Sequence, residues 1–195
     1  AAALKPALEV DGTMFSIAVF CASRPGAREA YMLAADGFGR EIAAREMTLV
    51  YGGGNIGLMG AVADGALDLG GQVIGVIPDF LRDREVCHTR LTELVVVDDL
   101  FERKAIMIER SDAFVALPGG IGTYDEILEV IAWRQLRQLR QPIGLLNVGG
   151  YFDPWLASLQ HAVDEGFVSE GELAQLIVMR DPAELIDCLL EASQT

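Results

Sequence analysis

The sequence predicts an α/β fold: a doubly wound parallel sheet with helices on both faces, in a single domain. Three observations predict it. Strand-like and helix-like runs alternate from residue 14 to the end of the 195 residues. The strand-like runs are continuously apolar, as parallel strands buried on both faces are, instead of alternating polar with apolar. No linker, repeat or low-complexity stretch divides a chain whose length fits one domain. Strands separated by helices need crossover connections, which give parallel pairing and helices on both faces.

Each element follows in order. Residues 1–12 read as an N-terminal extension and residues 13–195 as the domain. Met14–Ala22 is an apolar strand stopped by Ser23-Arg24-Pro25-Gly26. Ala27–Arg45 carries Ala30, Leu33, Ala34, Phe38, Ile42 and Ala43 at helical spacing. Thr48–Tyr51 is a short strand running into Gly52-Gly53-Gly54, and Leu58–Leu69 is a helix of small residues. Gln72–Ile77 is a strand stopped by Pro78; Asp79–Thr92, with four consecutive charges from Arg82 to Glu85, reads as a loop. The strand–helix alternation then repeats: Glu93–Val97 with Asp99–Arg110, Ala113–Leu117 with Gly122–Leu139, Pro142–Asn147 with Phe152–Asp164, and Leu176–Met179 with Pro182–Ala192.

Composition narrows the function. Hydrophobic residues make up 51% and charged residues 23%, which excludes a disordered chain. Lys+Arg number 15 against 29 Asp+Glu, a net charge of −14. Such a surface argues against nucleic acid and against an anionic membrane as partners. It leaves room for a small anion held in a locally prepared pocket. No apolar run approaches the roughly 18 residues of a membrane span, and residues 1–12 lack the basic start and apolar run of a signal peptide. Cys21, Cys87 and Cys188 are widely spaced, and with His88 and His161 they form no zinc pattern. The expectation is a cytoplasmic protein without a metal or a disulfide framework.

Doubly wound sheets bind ligands beyond the carboxyl ends of their strands, so the strand-end turns are the candidate sites. Gly52-Gly53-Gly54-Asn55-Ile56-Gly57 fits G-x-G-x-x-G between a strand and a helix. There the backbone of Gly53 and Gly54 can approach a phosphate and the helix N-terminus favours the anion. Asp79 near the end of the next strand mimics the acidic residue of a dinucleotide fingerprint, but the turn follows the second strand instead of the first. The alternative for this turn is close helix–strand packing. The second turn is Pro118-Gly119-Gly120-Ile121-Gly122-Thr123-Tyr124-Asp125-Glu126. Thr123 and Glu126 have the spacing of a capping box, so a purely structural cap is the alternative role for Glu126. Phe101-Glu102-Arg103-Lys104 opens a helix that Asp99 and Glu102 can cap. Arg103 and Lys104 lie about one turn in, where the helix dipole does not favour cations. They are either a solvated face or an anion-binding pair beside the glycine turns.

Together these residues resemble the LONELY GUY (LOG) family of cytokinin-activating phosphoribohydrolases, many of whose members carry the label "lysine decarboxylase". The resemblance rests on Tyr51 to Gly60, Arg103-Lys104 and Pro118 to Glu126. It extends from about Phe15 to the last helix through Gly75-Val76-Ile77-Pro78, Ser111-Asp112-Ala113-Phe114 and Gly144-Leu145-Leu146-Asn147-Val148. It implies a Rossmann-like α/β sandwich, a homodimer with its active site near the subunit interface, and no cofactor. The implied reaction is hydrolysis of the N-glycosidic bond of a nucleoside 5′-monophosphate, giving free base and ribose 5-phosphate. Arg103 and Glu126 match the family's catalytic pair. Lys104 and the stretch Gly119, Gly120, Ile121, Gly122, Thr123, Tyr124 and Asp125 match nucleotide contacts, and Glu85 of Arg84-Glu85 matches a further substrate contact. The chain departs from the family where Cys21-Ala22-Ser23-Arg24 stands for Cys-Gly-Ser-Ser, where Ala132 precedes Trp133, and across Arg134 to Arg140. These changes touch base preference and the interface.

Rival readings differ in what they require. A pyridoxal-dependent lysine decarboxylase needs a Schiff-base lysine, and Lys104 has no cofactor motif around it. A non-catalytic nucleotide-binding protein shares the glycine turns but gives no reason for Arg103 and Glu126 to occur together. A nicotinamide oxidoreductase places its glycine turn after the first strand. Trp133 and Leu136 read as core or interface, and Arg134, Arg137 and Arg140 as a stripe along one side of a helix. His88 reads as a surface residue of the charged loop, and His161 as an ordinary helix residue.

Overall fold

The computed structural model describes residues 9–10, 13–82 and 86–194. Its centre is a seven-stranded parallel sheet. The strands are β3 (Ser16–Phe20), β4 (Thr48–Tyr51), β5 (Gln72–Pro78), β6 (Glu93–Val97), β7 (Ala113–Ala116), β8 (Ile143–Leu146) and β9 (Leu176–Met179). Their spatial order is β6-β5-β4-β3-β7-β8-β9. The chain winds outward from β3 in one direction as far as β6. It then returns to place β7 on the other side of β3, with Ile17 opposite Ala113 and Phe20 opposite Ala116. The reversal makes the carboxyl ends of β3 and β7 the switch point, where the following loops part and leave a crevice. Ahead of the sheet, β1 (Glu9–Val10) and β2 (Thr13–Met14) pair antiparallel, within and just after the stretch read as an extension.

The apolar strands are buried on both faces because alternate side chains feed two cores. Ile17 and Val19 join Phe38 and Ile42 of α1 (Glu29–Ala44), Leu58 and Val62 of α2 (Gly57–Leu67), and Leu185 and Leu189 of α7 (Pro182–Ser193). Ala18 and Phe20 join Met107 of α3 (Leu100–Glu109) and Ile127 and Val130 of α4 (Ile121–Gln135) on the opposite face. Phe152 lies in this second core too, just before α5 (Asp153–Asp164). The expected double winding is present.

Several expectations are corrected. α4 ends at Gln135, four residues early, and Arg137 takes a left-handed φ of 57°. Arg134, Arg137 and Arg140 therefore do not share a helix side. Arg134 turns inward, donating to the Gln141 carbonyl at 2.8 Å and to Gln175 at 2.9 Å, and burial pushes its pKa down. Trp133 and Leu136 are exposed on this chain, so they are not core. His88 is buried, not a surface residue: its Nε2 lies 3.1 Å from Asp64 and its Nδ1 accepts the Arg90 N–H. A short helix missed in the sequence, α6 (Glu170–Leu173), is closed by a capping box between Ser169 and Glu172. That contact holds the Glu172 carboxyl below its usual pKa, through the Ser169 backbone N–H first and its hydroxyl second.

Candidate active site

A cavity of about 600 Å³ opens at the switch point, a volume ordinary for a small-molecule site. Three segments wall it: Cys21 to Arg24 after β3, Pro118 to Thr123 after β7, and Leu58 and Met59 at the start of α2. Tyr31 and Tyr151 close one side, and Arg103 and Glu126 stand within it.

The start of α4 is open. Gly120 is its N-cap and supplies no side-chain acceptor, so the first-turn N–H groups keep no capping partner from that residue. Thr123 is the third helical residue and Glu126 lies a turn further in, so the capping box suggested by their spacing is not formed. A Cβ added at Gly120 or Gly122 would meet nothing within 4 Å, and neither glycine has a positive φ. Internal packing and backbone conformation do not require glycine there. What the missing side chains provide is an open approach to the backbone N–H groups. The Tyr151 hydroxyl donates to the Gly119 carbonyl and steadies the turn. Burial, and then a hydrogen bond with Tyr151, push the Tyr124 phenol up to about 12. Tyr124 itself packs against Phe152 and Trp155.

The charged pair comes from two helices. Asp99 caps α3, accepting from the Phe101 and Glu102 N–H groups at 2.8 Å each. Glu102 in turn accepts from the Asp98 N–H. The cap sets the first turn of α3 and with it the direction of Arg103. Arg103 is buried, and its Nη2 lies 3.8 Å from Glu126 Oε1. Its Nε is a buried donor without a hydrogen-bond partner among the described residues. A buried orphan donor on the wall of a cavity is the kind of group that a bound ligand satisfies. Gly52 makes room for this guanidinium: a Cβ there would lie 1.8 Å from Arg103 Nη2.

Comparison with known proteins decides the family. A family model described as "Possible lysine decarboxylase" matches residues 59–189. A cytokinin riboside 5′-monophosphate phosphoribohydrolase of Rhodococcoides fascians is 47% identical over 167 residues, covering 85% of this chain and 84% of that one. The chain belongs to the LOG family. A relative of the same description from Arabidopsis thaliana is 44% identical over 173 residues, covering 89% of this chain and 76% of that one. Among solved structures, the molybdenum cofactor carrier protein of Chlamydomonas reinhardtii matches with a TM-score of 0.70 at 23% identity, covering 93% of this chain and 99% of that one. That likeness concerns the fold alone.

Within this LOG fold the residues picked out in the sequence divide. Arg103, Glu126 and Gly119 to Thr123 meet on one cavity. Gly53 and Gly54 do not line it. The Gly53 carbonyl accepts from the His88 N–H at 3.0 Å and Gly54 bridges to Cys87, so this turn anchors the neighbouring loop. Tyr124 and Asp125 also lie off the cavity. Lys104 pairs with Asp125 at 3.1 Å and with Glu129, tying α3 to α4. Burial alone lowers the Lys104 pKa, but Glu129 and Asp125 outweigh it and the net direction is up. An ammonium held protonated in this way does not fit a pyridoxal Schiff base, whose lysine must lose its proton. Lys104 is the only lysine among the described residues. Glu85 and Arg84 lie outside the described residues. The cavity also uses Met59, Tyr31 and Tyr151, and Gly52 stands behind Arg103; the sequence did not single these out as site residues. Their signal was position, since Gly52 and Tyr151 follow the carboxyl ends of β4 and β8. No cluster of His, Cys, Asp and Glu that would hold a metal is found among the described residues. No described helix is long and apolar enough to cross a membrane.

Proposed function

We propose that this chain hydrolyses the N-glycosidic bond of nucleoside 5′-monophosphates, cytokinin riboside 5′-monophosphate or AMP, to free base and ribose 5-phosphate. The observation that carries the reading is a largely buried carboxylate–guanidinium pair on one cavity with an uncapped, open helix N-terminus. The relatives' activity supports it.

The division of labour follows from charge. A 5′-phosphate sits at the start of α4, where the N–H groups of Gly120 to Thr123 and the positive helix end receive it. This places the ribose along the first turns of α4, toward Glu126. As the C–N bond breaks, positive charge builds on the anomeric carbon and the ring oxygen, and the Glu126 carboxylate stabilises it. Arg103 fixes the orientation of that carboxylate. Water completes the ribose 5-phosphate, and the bond electrons leave with the base. Much of the rate comes from holding the sugar against the acid group, so nucleosides without the phosphate are poor substrates.

Glu126→Gln and Arg103→Ala are each expected to lower base release from AMP or isopentenyladenosine monophosphate by about 10²-fold or more. Chromatography of the products measures this, with circular dichroism to confirm the fold. Full activity in Glu126→Gln overturns the reading. Binding of AMP without release of adenine by the unaltered protein identifies a nucleotide carrier instead.

The chain is further proposed to act as a cytoplasmic homodimer, residues 13–195 forming the catalytic domain. Phe101, Leu128, Trp133 and Leu136 present exposed apolar surface on and just after α3 and α4, the helices that carry the site, which supports an interface beside it. Light scattering giving the mass of one chain overturns the dimer.

A further inference from the structure

About half of the cationic side chains among the described residues are paired with acids. Arg40, Arg45, Arg82, Arg90, Arg110 and Lys104 each meet a carboxylate. Two cationic residues line the cavity. Arg103 faces Glu126. Arg24 is exposed and has no carboxylate partner among the described residues. An arginine lining the cavity without a carboxylate partner, in a chain with net charge −14, is available for an anion brought from outside.

The backbone beneath it is clamped. The Ala22 N–H donates to the Pro118 carbonyl at 3.3 Å, and the Ala22 carbonyl accepts from the Met59 N–H at 3.2 Å. Gly57, at a φ of 61°, lies so close that a Cβ there would stand 2.3 Å from Arg24 N and 2.4 Å from Ser23 C. Ser23-Arg24 is thus held between the start of α2 and the turn that opens α4. It stands on the cavity that also receives the open end of α4.

A charge comparison says why this matters. A helix N-terminus acts as about half a positive charge, whereas a phosphate monoester carries about −1.5 to −2 at neutral pH. With Arg103 engaged by Glu126, the helix end alone leaves most of that charge uncompensated. We infer that Arg24 is the specificity-determining residue for the 5′-phosphate, its guanidinium taking phosphate oxygens that α4 leaves free. This rests on the proposed nucleotide-hydrolase reading and adds the residue by which the chain selects a phosphorylated sugar over a plain nucleoside.

The test uses the full chain with Arg24→Ala and Arg24→Lys. Arg24→Ala is expected to raise KM for AMP and Ki for ribose 5-phosphate about 10- to 100-fold, the weight of a charge-assisted hydrogen bond. The change in kcat is expected to be far smaller. Ki for adenine, which carries no phosphate, is expected to stay within about twofold, which a general distortion of the cavity would not allow. Arg24→Lys, keeping the charge but losing the fork, falls between. Unchanged KM and Ki for the phosphorylated ligands overturn the inference, as does a parallel rise in Ki for adenine. If the unaltered protein releases no base, the hydrolase reading fails. Calorimetric titration with AMP then decides Arg24 independently: weaker binding in Arg24→Ala supports it, and equal or absent binding in both proteins overturns it.

Discussion

At the scale of single residues, the site depends on atoms that are missing. Gly52 does not touch the cavity, yet it is the reason Arg103 fits: any side chain there would collide with Nη2. Gly52→Ala is therefore expected to displace the guanidinium and lower kcat/KM by about 10²-fold, the usual cost of shifting a catalytic group by about an ångström. Thermal unfolding is expected to change little by comparison. A variant with full activity would show that the position of Arg103 does not matter. The contrast with Lys104 marks what a sequence conveys at this scale. Arg103 and Lys104 are adjacent and look alike as cations; spacing left both open, and only the family resemblance joined Arg103 to Glu126 of the second glycine turn. That Lys104 turns instead to Asp125 and Glu129 depends on the rotation of α3 against α4, which no local pattern encodes. His88 makes the same point. A lone histidine in a charged loop gives no sign that Asp64 of α2 will meet its ring.

At the scale of elements, the two helices of the site end in opposite ways. α3 is closed by Asp99, and Asp99→Ala is expected to destabilise the protein by about 1 kcal/mol in chemical denaturation. α4 opens on Gly120, which caps nothing. Gly120→Asp would give α4 an acceptor and a favourable charge, and is expected to leave stability unchanged or raise it by a few tenths of a kcal/mol. The same carboxylate would stand where the phosphate is proposed to sit, so KM for AMP is expected to rise at least about tenfold. A stability gain with unchanged KM would place the phosphate elsewhere. The strands and most helices were legible because burial on two faces leaves a continuous apolar run, and because buried helix faces repeat apolar residues at helical spacing. The end of α4 was not. Its helical spacing continues past Gln135 in sequence, but Arg137 adopts a left-handed backbone and Arg134 folds back onto Gln141 and Gln175. Contacts with the approaches to β8 and β9 override the local pattern.

At the scale of the whole molecule, the fold brings together loops that lie far apart in the chain. The cavity draws on residues from Cys21 to Tyr151 because the sheet reverses direction at β3. The hydroxyl chain Tyr124–Tyr151–Gly119 joins three of these pieces, α4, the loop after β8 and the turn after β7. It also gives stability a pH dependence whose sign is fixed. Burial and Tyr151 raise the Tyr124 phenol to about 12 in the folded chain, against about 10 when unfolded. The folded state therefore holds this proton more tightly than the unfolded chain. The resulting stabilisation is fully present below pH 10 and is lost as pH rises from 10 toward 12. Tyr124→Phe removes the titrating group, so denaturation midpoints of the two proteins are expected to differ by a constant amount below pH 10. Between pH 10 and 12 the unaltered protein is expected to lose ground against the variant. A difference that stays constant through pH 12 would mean that the phenol is as easily ionised in the folded chain as in the unfolded one, and that the hydroxyl chain does not hold the turn beneath the phosphate.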